Sequence, residues 1–292
     1  KSPQIKHKLA MALNQNGQLE RSIECAQQGL KLDPENAGLL EAYGTSLLGI
    51  GEAKEGLAVF NRLTKLDTQN QYWVAMKATA HRLLGQSEYG ELFDYQNFLL
   101  VEPIELPKEF LSIKAFNREL LAQIEQYHVN SSEPLDQSLR HGTQTLDNLF
   151  KQKDHCIQAL QKAIDANIIR HLARLKRTPG HPLLKRLTSG FKRTGSWSVI
   201  LQDQGYHKSH CHPAGWFSGP YYVSLPSDIP QGEGWIKFGE PGFKSYAPLE
   251  ADYYVKPEEG SMVLFPSYFW HATVPFSSCE RRVTVAHDIV PA

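Results

Sequence analysis

The sequence predicts two fold classes in one chain: a helical repeat array in front and an all-β sandwich or jelly roll behind. Two observations carry this. Gly17, Gly51 and Gly85 recur at a period of 34 residues, and Ala10, Gly44 and Ala78 keep the same period. From Trp197 onward, short runs rich in Val, Tyr, Phe and Trp alternate with Gly/Pro turns: WSVIL, PYYVSL, GWIKF, DYYV, SMVLF, FWHATV and RVTVA. That texture predicts about eight short strands.

Bulk properties narrow the classes further. The 292 residues are 41% hydrophobic and 21% charged, which suits two domains with real cores. Lys plus Arg and Asp plus Glu are each 31, so no net charge draws the chain toward nucleic acid or a membrane. Cys25, Cys156, Cys211 and Cys279 stand far apart without a C-x-x-C. This excludes a disulfide scaffold and a zinc ribbon, and a cytoplasmic location is expected. No apolar run reaches membrane-spanning length. The sequence opens at Lys1 without a methionine, so a fragment or processed chain is expected, with further repeats ahead.

The first third carries the repeats. Gly17, Gly51 and Gly85 are expected at close helix approaches, and Ala10, Gly44 and Ala78 at the turns between helices. Asp33 and Asp67 each precede an asparagine, Asn36 and Asn70, by three residues. These end one unit and cap the next. The helix–turn–helix period resembles the tetratricopeptide repeat, with three units over about residues 3–103. Such an array implies a groove for a protein or peptide partner.

The middle reads as a helical bridge. Pro103 and Pro107 mark its start, and Lys108–His128 has helical spacing of apolar residues. A turn-rich break follows at 130–134. The stripe Cys156, Leu160, Ile164, Ile168, Leu172 and Leu175 predicts a long amphipathic helix, ended by TPGHP at 178–182. Basic residues from Arg170 to Arg193 have no acid among them. They read as a solvated face rather than a nucleic-acid site, because no aromatics interleave. The expected domains are therefore 1–104 (helical repeats), 105–190 (helical bridge and outer helices) and 191–292 (β core).

The chemistry concentrates in GYHKSHCHPAGWFSG at 205–219. Read as a strand, His210 and His212 share a face and His207 takes the other. His271, 59 residues past His212, supplies a third imidazole. Three ligands on one octahedral face would leave positions for substrate and O2, as in non-haem iron sites; imidazole also suits zinc. Arg282 follows His271 by eleven residues and shares a face with Thr284 and Ala286. An inward arginine needs an anion, with a carboxylate the natural partner and Thr284 a second donor. Arg281 is the alternative clamp. His287, Cys211, Trp216, Tyr221, Tyr222, Trp235 and Trp270 read as packing residues, and Gly-Glu-Gly at 232–234 as a hairpin turn.

The spacing H-x-H, a distal His, then Arg-x-Thr resembles the Fe(II)/2-oxoglutarate-dependent dioxygenase superfamily. The wording HCHPAGWFSGPYYV, FGEP, GSMVLFPSYFWH and RVTVAHD is similar to a bacterial branch of it, some members of which carry tetratricopeptide repeats in front. LRHGTQT at 139–145 fits the same branch, so the resemblance covers about residues 135–292. It implies a double-stranded β-helix (jelly roll) with helices packed outside. It implies Fe(II) on His210, His212 and His271, and 2-oxoglutarate held by Arg282 and Thr284. It further implies C–H hydroxylation with O2, releasing succinate and CO2. Most of the superfamily has Asp or Glu where His212 stands. That leaves three readings open: His212 as ligand, His207 in its place, or a carboxylate such as Asp203 or Glu240. The rival functions are a three-histidine cupin-type metalloprotein not using 2-oxoglutarate, and a non-enzymatic repeat scaffold with a degenerate barrel.

Overall fold

A computed structural model describes every residue except Lys1, Ser131, 134–136 and Asp147. The break expected at 130–134 lies partly outside the described residues. The chain forms two compact units. One runs to Asp94 and also takes in Gly239–Glu250; the other holds Tyr95–Phe238 and Ala251–Ala292.

In the first unit, α1 (Pro3–Gln15), α2 (Leu19–Leu30), α3 (Ala37–Gly49), α4 (Ala53–Leu66) and α5 (Gln71–Leu83) each pack on the next. Asn36 and Asn70 cap α3 and α5, their side chains accepting the Leu39 N–H at 3.1 Å and the Trp73 N–H at 3.3 Å. The two sets of small residues exchange the roles expected of them. Gly17, Gly51 and Gly85 have φ of 75°, 91° and 65° with open space around them, so they are the turns. Ala10, Gly44 and Ala78 are buried inside helices, and a Cβ on Gly44 would meet Val59 and Phe60 at 2.9 Å. The physics explains the composition of each set: left-handed backbone selects glycine strictly, whereas close packing also accepts alanine.

The third repeat stops early. Its second helix, α6 (Glu88–Leu92), has five residues, and α7 (Tyr95–Phe98) already belongs to the second unit. Leu100–Pro103, expected inside the repeats, is a strand, β1, paired with a later strand. Gly239–Glu250 packs on the helices of the first unit. The Tyr246 N–H donates to the Gly49 carbonyl at 2.8 Å, and its hydroxyl donates to Glu20. Arg82 donates to the carbonyls of Gly239 and Glu250, each at 2.9 Å.

The second unit is a β core with helices against it. After β1 come β2 (Leu139–Gln144), β3 (Phe191–His207), β4 (Phe217–Ser224), β5 (Ile236–Phe238), β6 (Tyr253–Val255), β7 (Ser261–Pro266), β8 (His271–Thr273) and β9 (Arg282–Pro291). They form an antiparallel six-stranded sheet, β1-β7-β4-β9-β3-β2, and a three-stranded sheet, β6-β5-β8. This is the two-sheet jelly roll expected from the strand texture. The expected count missed β1 and β2, which lie upstream of Trp197. β7 is buried at every position, so it shows no polar alternation. A Cβ on Gly219 of β4 would come 1.9 Å from the Val263 carbonyl oxygen of β7, so only glycine allows these strands to approach so closely.

Two helices cover this core. α8 (Ile113–Glu125) buries Phe116, Leu120 and Ile124, and its Asn117 accepts the Tyr221 hydroxyl at 2.6 Å. It is shorter than the expected 108–128 because Ser112 caps it, accepting the Ala115 N–H at 3.2 Å. α9 (His155–Arg174) follows the expected stripe and buries Cys156, Leu160, Ile164, Ile168 and Leu172. Among the described residues, no helix is long and apolar enough to cross a membrane.

Candidate metal centre

Strand β3 ends at His207, and the chain from Lys208 to Trp216 is not a strand. The expected strand pairing of His210 with His212 therefore does not occur. His210 instead makes an isolated antiparallel bridge with His271, the first residue of β8. Its N–H donates to the His271 carbonyl at 3.1 Å and its carbonyl accepts the His271 N–H at 3.0 Å. The turn at Pro213–Ala214 interrupts further pairing, and the His212 N–H donates to the Ser267 carbonyl at 2.8 Å.

This loop still brings the three imidazoles together. Ring centroids lie 4.2 Å apart for His210 and His271, 5.1 Å for His212 and His271, and 5.2 Å for His210 and His212. One ring nitrogen from each lies within 4.8 Å of the other two. The other nitrogens fix the tautomers. His210 Nδ1 faces the Lys208 carbonyl at 2.8 Å, His271 Nδ1 the Phe269 carbonyl at 2.9 Å, and His212 Nδ1 the Asp288 carboxylate at 2.8 Å. Each acceptor requires a proton on Nδ1, so Nε2 is the atom that carries the lone pair of the neutral ring; the Ser138 hydroxyl lies 3.3 Å from that of His210. Burial, with the neighbouring histidines adding to it, holds His271 well below the ordinary histidine pKa, and burial pushes His210 down to about 3. Three imidazoles whose ring nitrogens converge in this way fit a divalent transition metal.

His207 is outside the three. Its Nδ1 lies 3.0 Å from the Ser138 hydroxyl and its ring 5.9 Å from His210. Asp203 accepts the Ser278 N–H at 3.1 Å, and Glu240 lies in the first unit. Neither carboxylate joins the cluster. The carboxylate beside it is Asp288, on the same face of β9 as Arg282, Thr284 and Ala286. Sequence reasoning passed over Asp288; the signal was its even spacing from Arg282.

The histidines line a cavity of ≈ 500 Å³ together with Arg282 and Thr284. Arg282 is 3% exposed. Its Nε donates to the Gly234 carbonyl at 3.3 Å and its guanidinium lies 5.1 Å from the centre of the Tyr222 ring. Among the described residues no carboxylate pairs with it. Burial pulls its pKa below the ordinary arginine value, against the effect of Tyr222. A buried cation on a cavity wall fits a carboxylate ligand. Arg281, the alternative clamp, pairs instead with Glu125 at the surface. His287 is buried as a packing residue, with neither ring nitrogen hydrogen-bonded.

A second cluster, Glu119, His155 and Cys156, has comparable spacing. Its hydrogen bonds argue the other way. Gln123 Oε1 accepts the Cys156 N–H at 3.1 Å, which turns its amide Nε2 toward His155 Nδ1, also at 3.1 Å. That nitrogen is then the acceptor. Nε2 carries the proton and donates to Glu119 at 2.8 Å, so no lone pair is offered. The cluster locks α8 to α9.

Residues 195–288 match a family described as "Putative 2OG-Fe(II) oxygenase", and residues 3–36 match the tetratricopeptide repeat. No curated protein matches the chain. Similar solved structures include the viral collagen prolyl hydroxylase of Paramecium Bursaria Chlorella virus-1, 14% identical, covering 68% of this chain and 98% of that one, with a TM-score of 0.44. A Pseudomonas putida prolyl-4-hydroxylase is 12% identical over 70% of this chain and 98% of that one, with a TM-score of 0.45. HygX from Streptomyces hygroscopicus is 11% identical over 69% and 86%, with a TM-score of 0.43. Behind a tetratricopeptide region, the chain carries a domain of the 2OG-Fe(II) oxygenase family, whose cofactors are Fe(II), 2-oxoglutarate and O2.

Proposed function

We propose that this oxygenase domain holds Fe(II) on His210, His212 and His271, binds 2-oxoglutarate through Arg282 and Thr284, and hydroxylates a C–H bond of a protein or peptide. One observation carries the assignment of residues. Among the described residues, a buried arginine without a carboxylate partner lines the same cavity as three clustered imidazoles whose Nδ1 atoms are turned to acceptors.

The chemistry that iron and 2-oxoglutarate supply when bound is oxidative decarboxylation to succinate and CO2, coupled to oxygen insertion into C–H. The chain's own part is positional. The Lys208 and Phe269 carbonyls and the Asp288 carboxylate aim the three rings. Arg282 offers a fork of N–H donors suited to two carboxylate oxygens, with the Thr284 hydroxyl two residues along the same strand face. Buried Val199, Phe265 and Ala272 keep water from that part of the cavity. The tetratricopeptide match supports a protein or peptide partner, and hence that substrate class. The four cysteines are free, which supports a reducing, cytoplasmic setting.

The test is succinate formation by the purified protein with Fe(II), O2 and 2-oxoglutarate. The wild type is expected to turn over 2-oxoglutarate even without its substrate. Arg282→Ala should raise the 2-oxoglutarate concentration for half-maximal rate about 100-fold, since losing a buried charge pair costs several kcal/mol. Metal affinity should stay as in wild type. Unchanged 2-oxoglutarate dependence would remove Arg282 from the site. Metal binding without any succinate would favour a cupin-type centre, and neither would leave a scaffold.

A further inference from the structure

Three imidazoles bring no negative charge to a divalent metal. Among the described residues, a carboxylate touches one of the three rings: that of Asp288, which accepts the His212 Nδ1–H at 2.8 Å. Both side chains are largely enclosed, 16% exposed for His212 and 18% for Asp288. The Asp288 side chain is hydrogen-bonded by His212 and by the Ser218 hydroxyl, and among the described residues no lysine or arginine pairs with this carboxylate. An enclosed carboxylate is costly without a cation nearby. Here the cation it could serve would sit on the far nitrogen of His212, one imidazole away. The fold holds that imidazole by its backbone as well. The His212 N–H is tied to the Ser267 carbonyl, and the Ser267 hydroxyl lies 2.8 Å from that of Ser218, which is paired in register with Asp288.

We propose that Asp288 is a positioning residue for the metal centre, returning through His212 the negative charge that a directly bound carboxylate would supply. The inference rests on the metal reading of the three histidines. It explains how position 212 can be histidine: the charge has moved one shell outward, onto β9, and the imidazole relays it. A carboxylate behind a ligating imidazole orients the ring and raises its basicity.

The test is anaerobic titration with Co(II), read by its visible absorption, on wild type, Asp288→Asn, Asp288→Glu, His212→Asp and the double variant His212→Asp/Asp288→Asn. Asn keeps the shape and an acceptor oxygen but removes the charge. Asp288→Asn should weaken Co(II) binding by about 10–100-fold and shift the iron reduction potential upward. Asp288→Glu, which keeps the charge, should recover most of that affinity. With a carboxylate already at 212, adding Asp288→Asn should change affinity by no more than about threefold, because the two sites act through one charge. A merely structural Asp288 would lose affinity equally in both backgrounds and leave the potential unmoved; either result overturns the proposal. If Asp288→Asn does not fold, Asp288→Ser, which also removes the charge, carries the same comparison in both backgrounds. A wild type that binds no Co(II) would instead remove the metal reading on which the proposal stands.

Discussion

A buried imidazole stays neutral when nothing around it stabilises its charge, and this governs the histidines outside the metal centre as well. His171 on α9 packs edge-on against Phe217, with ring centroids 5.6 Å apart, and its Nε2 has no hydrogen-bond partner. Burial, reinforced by Arg174, pushes its pKa down to about 4 from an ordinary 6.5. His128 sits beside Thr143, with Nδ1 at 2.8 Å from the hydroxyl, and burial takes it down to about 4 as well. Because these folded values lie below the free one, the unfolded chain takes up protons first as pH falls. The stability they allow is complete above about 6.5 and is lost as pH drops toward 4. His171→Gln removes one of the two groups. Its urea midpoint should therefore fall less steeply between pH 7 and 4 than that of wild type, whatever its absolute stability. Parallel curves would show that His171 does not titrate in this window.

Among the elements, the β4–β7 contact is the least forgiving. Gly219 has no left-handed φ, so its requirement is space alone. A Cβ there would overlap the Val263 carbonyl, which is backbone and cannot rotate away. Gly219→Ala should part the strands that carry Ser218 and Phe265 and cost at least about 3 kcal/mol, the upper range for overpacking against a fixed neighbour. The same change at Gly51, where φ is 91° but the surroundings are open, should cost only the left-handed penalty, about 1–2 kcal/mol. Chemical denaturation of both variants checks the order, and a Gly219→Ala variant as stable as Gly51→Ala would refute it. This contrast also shows what the sequence made legible. The 34-residue period located Gly17, Gly51 and Gly85, although the expected roles of the turning and packing residues were the reverse of those observed. α9 followed its apolar stripe to within a residue. β1 and β2 escaped because they are short strands whose pairing partners, Leu264 and Val199 among them, lie far along the chain. His210, His212 and His271 stood out as residue types, although the strand expected to carry His210 and His212 does not form, whereas His271 does begin a strand, β8. Their convergence depends on a loop and one isolated bridge, which no two-residue periodicity encodes. Asp288 offered only its even spacing from Arg282, which places it on a face of β9 but not beside His212.

On the scale of the whole molecule, the chain leaves the smaller sheet at Phe238, contributes Gly239–Glu250 to the repeat unit, and returns to the sheet at Tyr253. A twelve-residue excursion of this kind loses conformational freedom that its own few apolar side chains poorly offset. Its two ends are held by a single side chain: Arg82 donates one N–H to the Gly239 carbonyl and another to the Glu250 carbonyl. The middle is held by Tyr246 on Glu20 and on the Gly49 carbonyl. Hydrogen bonds from a charged donor are worth about 1.5–3 kcal/mol each, more than the neutral bonds beside them. Arg82→Ala should therefore release the ends together, so that amides from Glu240 to Leu249 exchange hydrogen at least about tenfold faster, a loss of roughly 1.4 kcal/mol or more in local opening free energy. Amides of β7 and β9, which are paired within their own sheet, should keep their wild-type rates. The Arg82 guanidinium also lies 5.4 Å from the centre of the Tyr89 ring, so Tyr89→Leu is the control. It removes that ring contact while leaving both carbonyl bonds, and should leave exchange in the excursion unchanged. Equal effects from Arg82→Ala and Tyr89→Leu would mean that the ring contact, rather than the carbonyl clamp, holds the loop. Protection unaltered in both would mean that Tyr246 alone suffices.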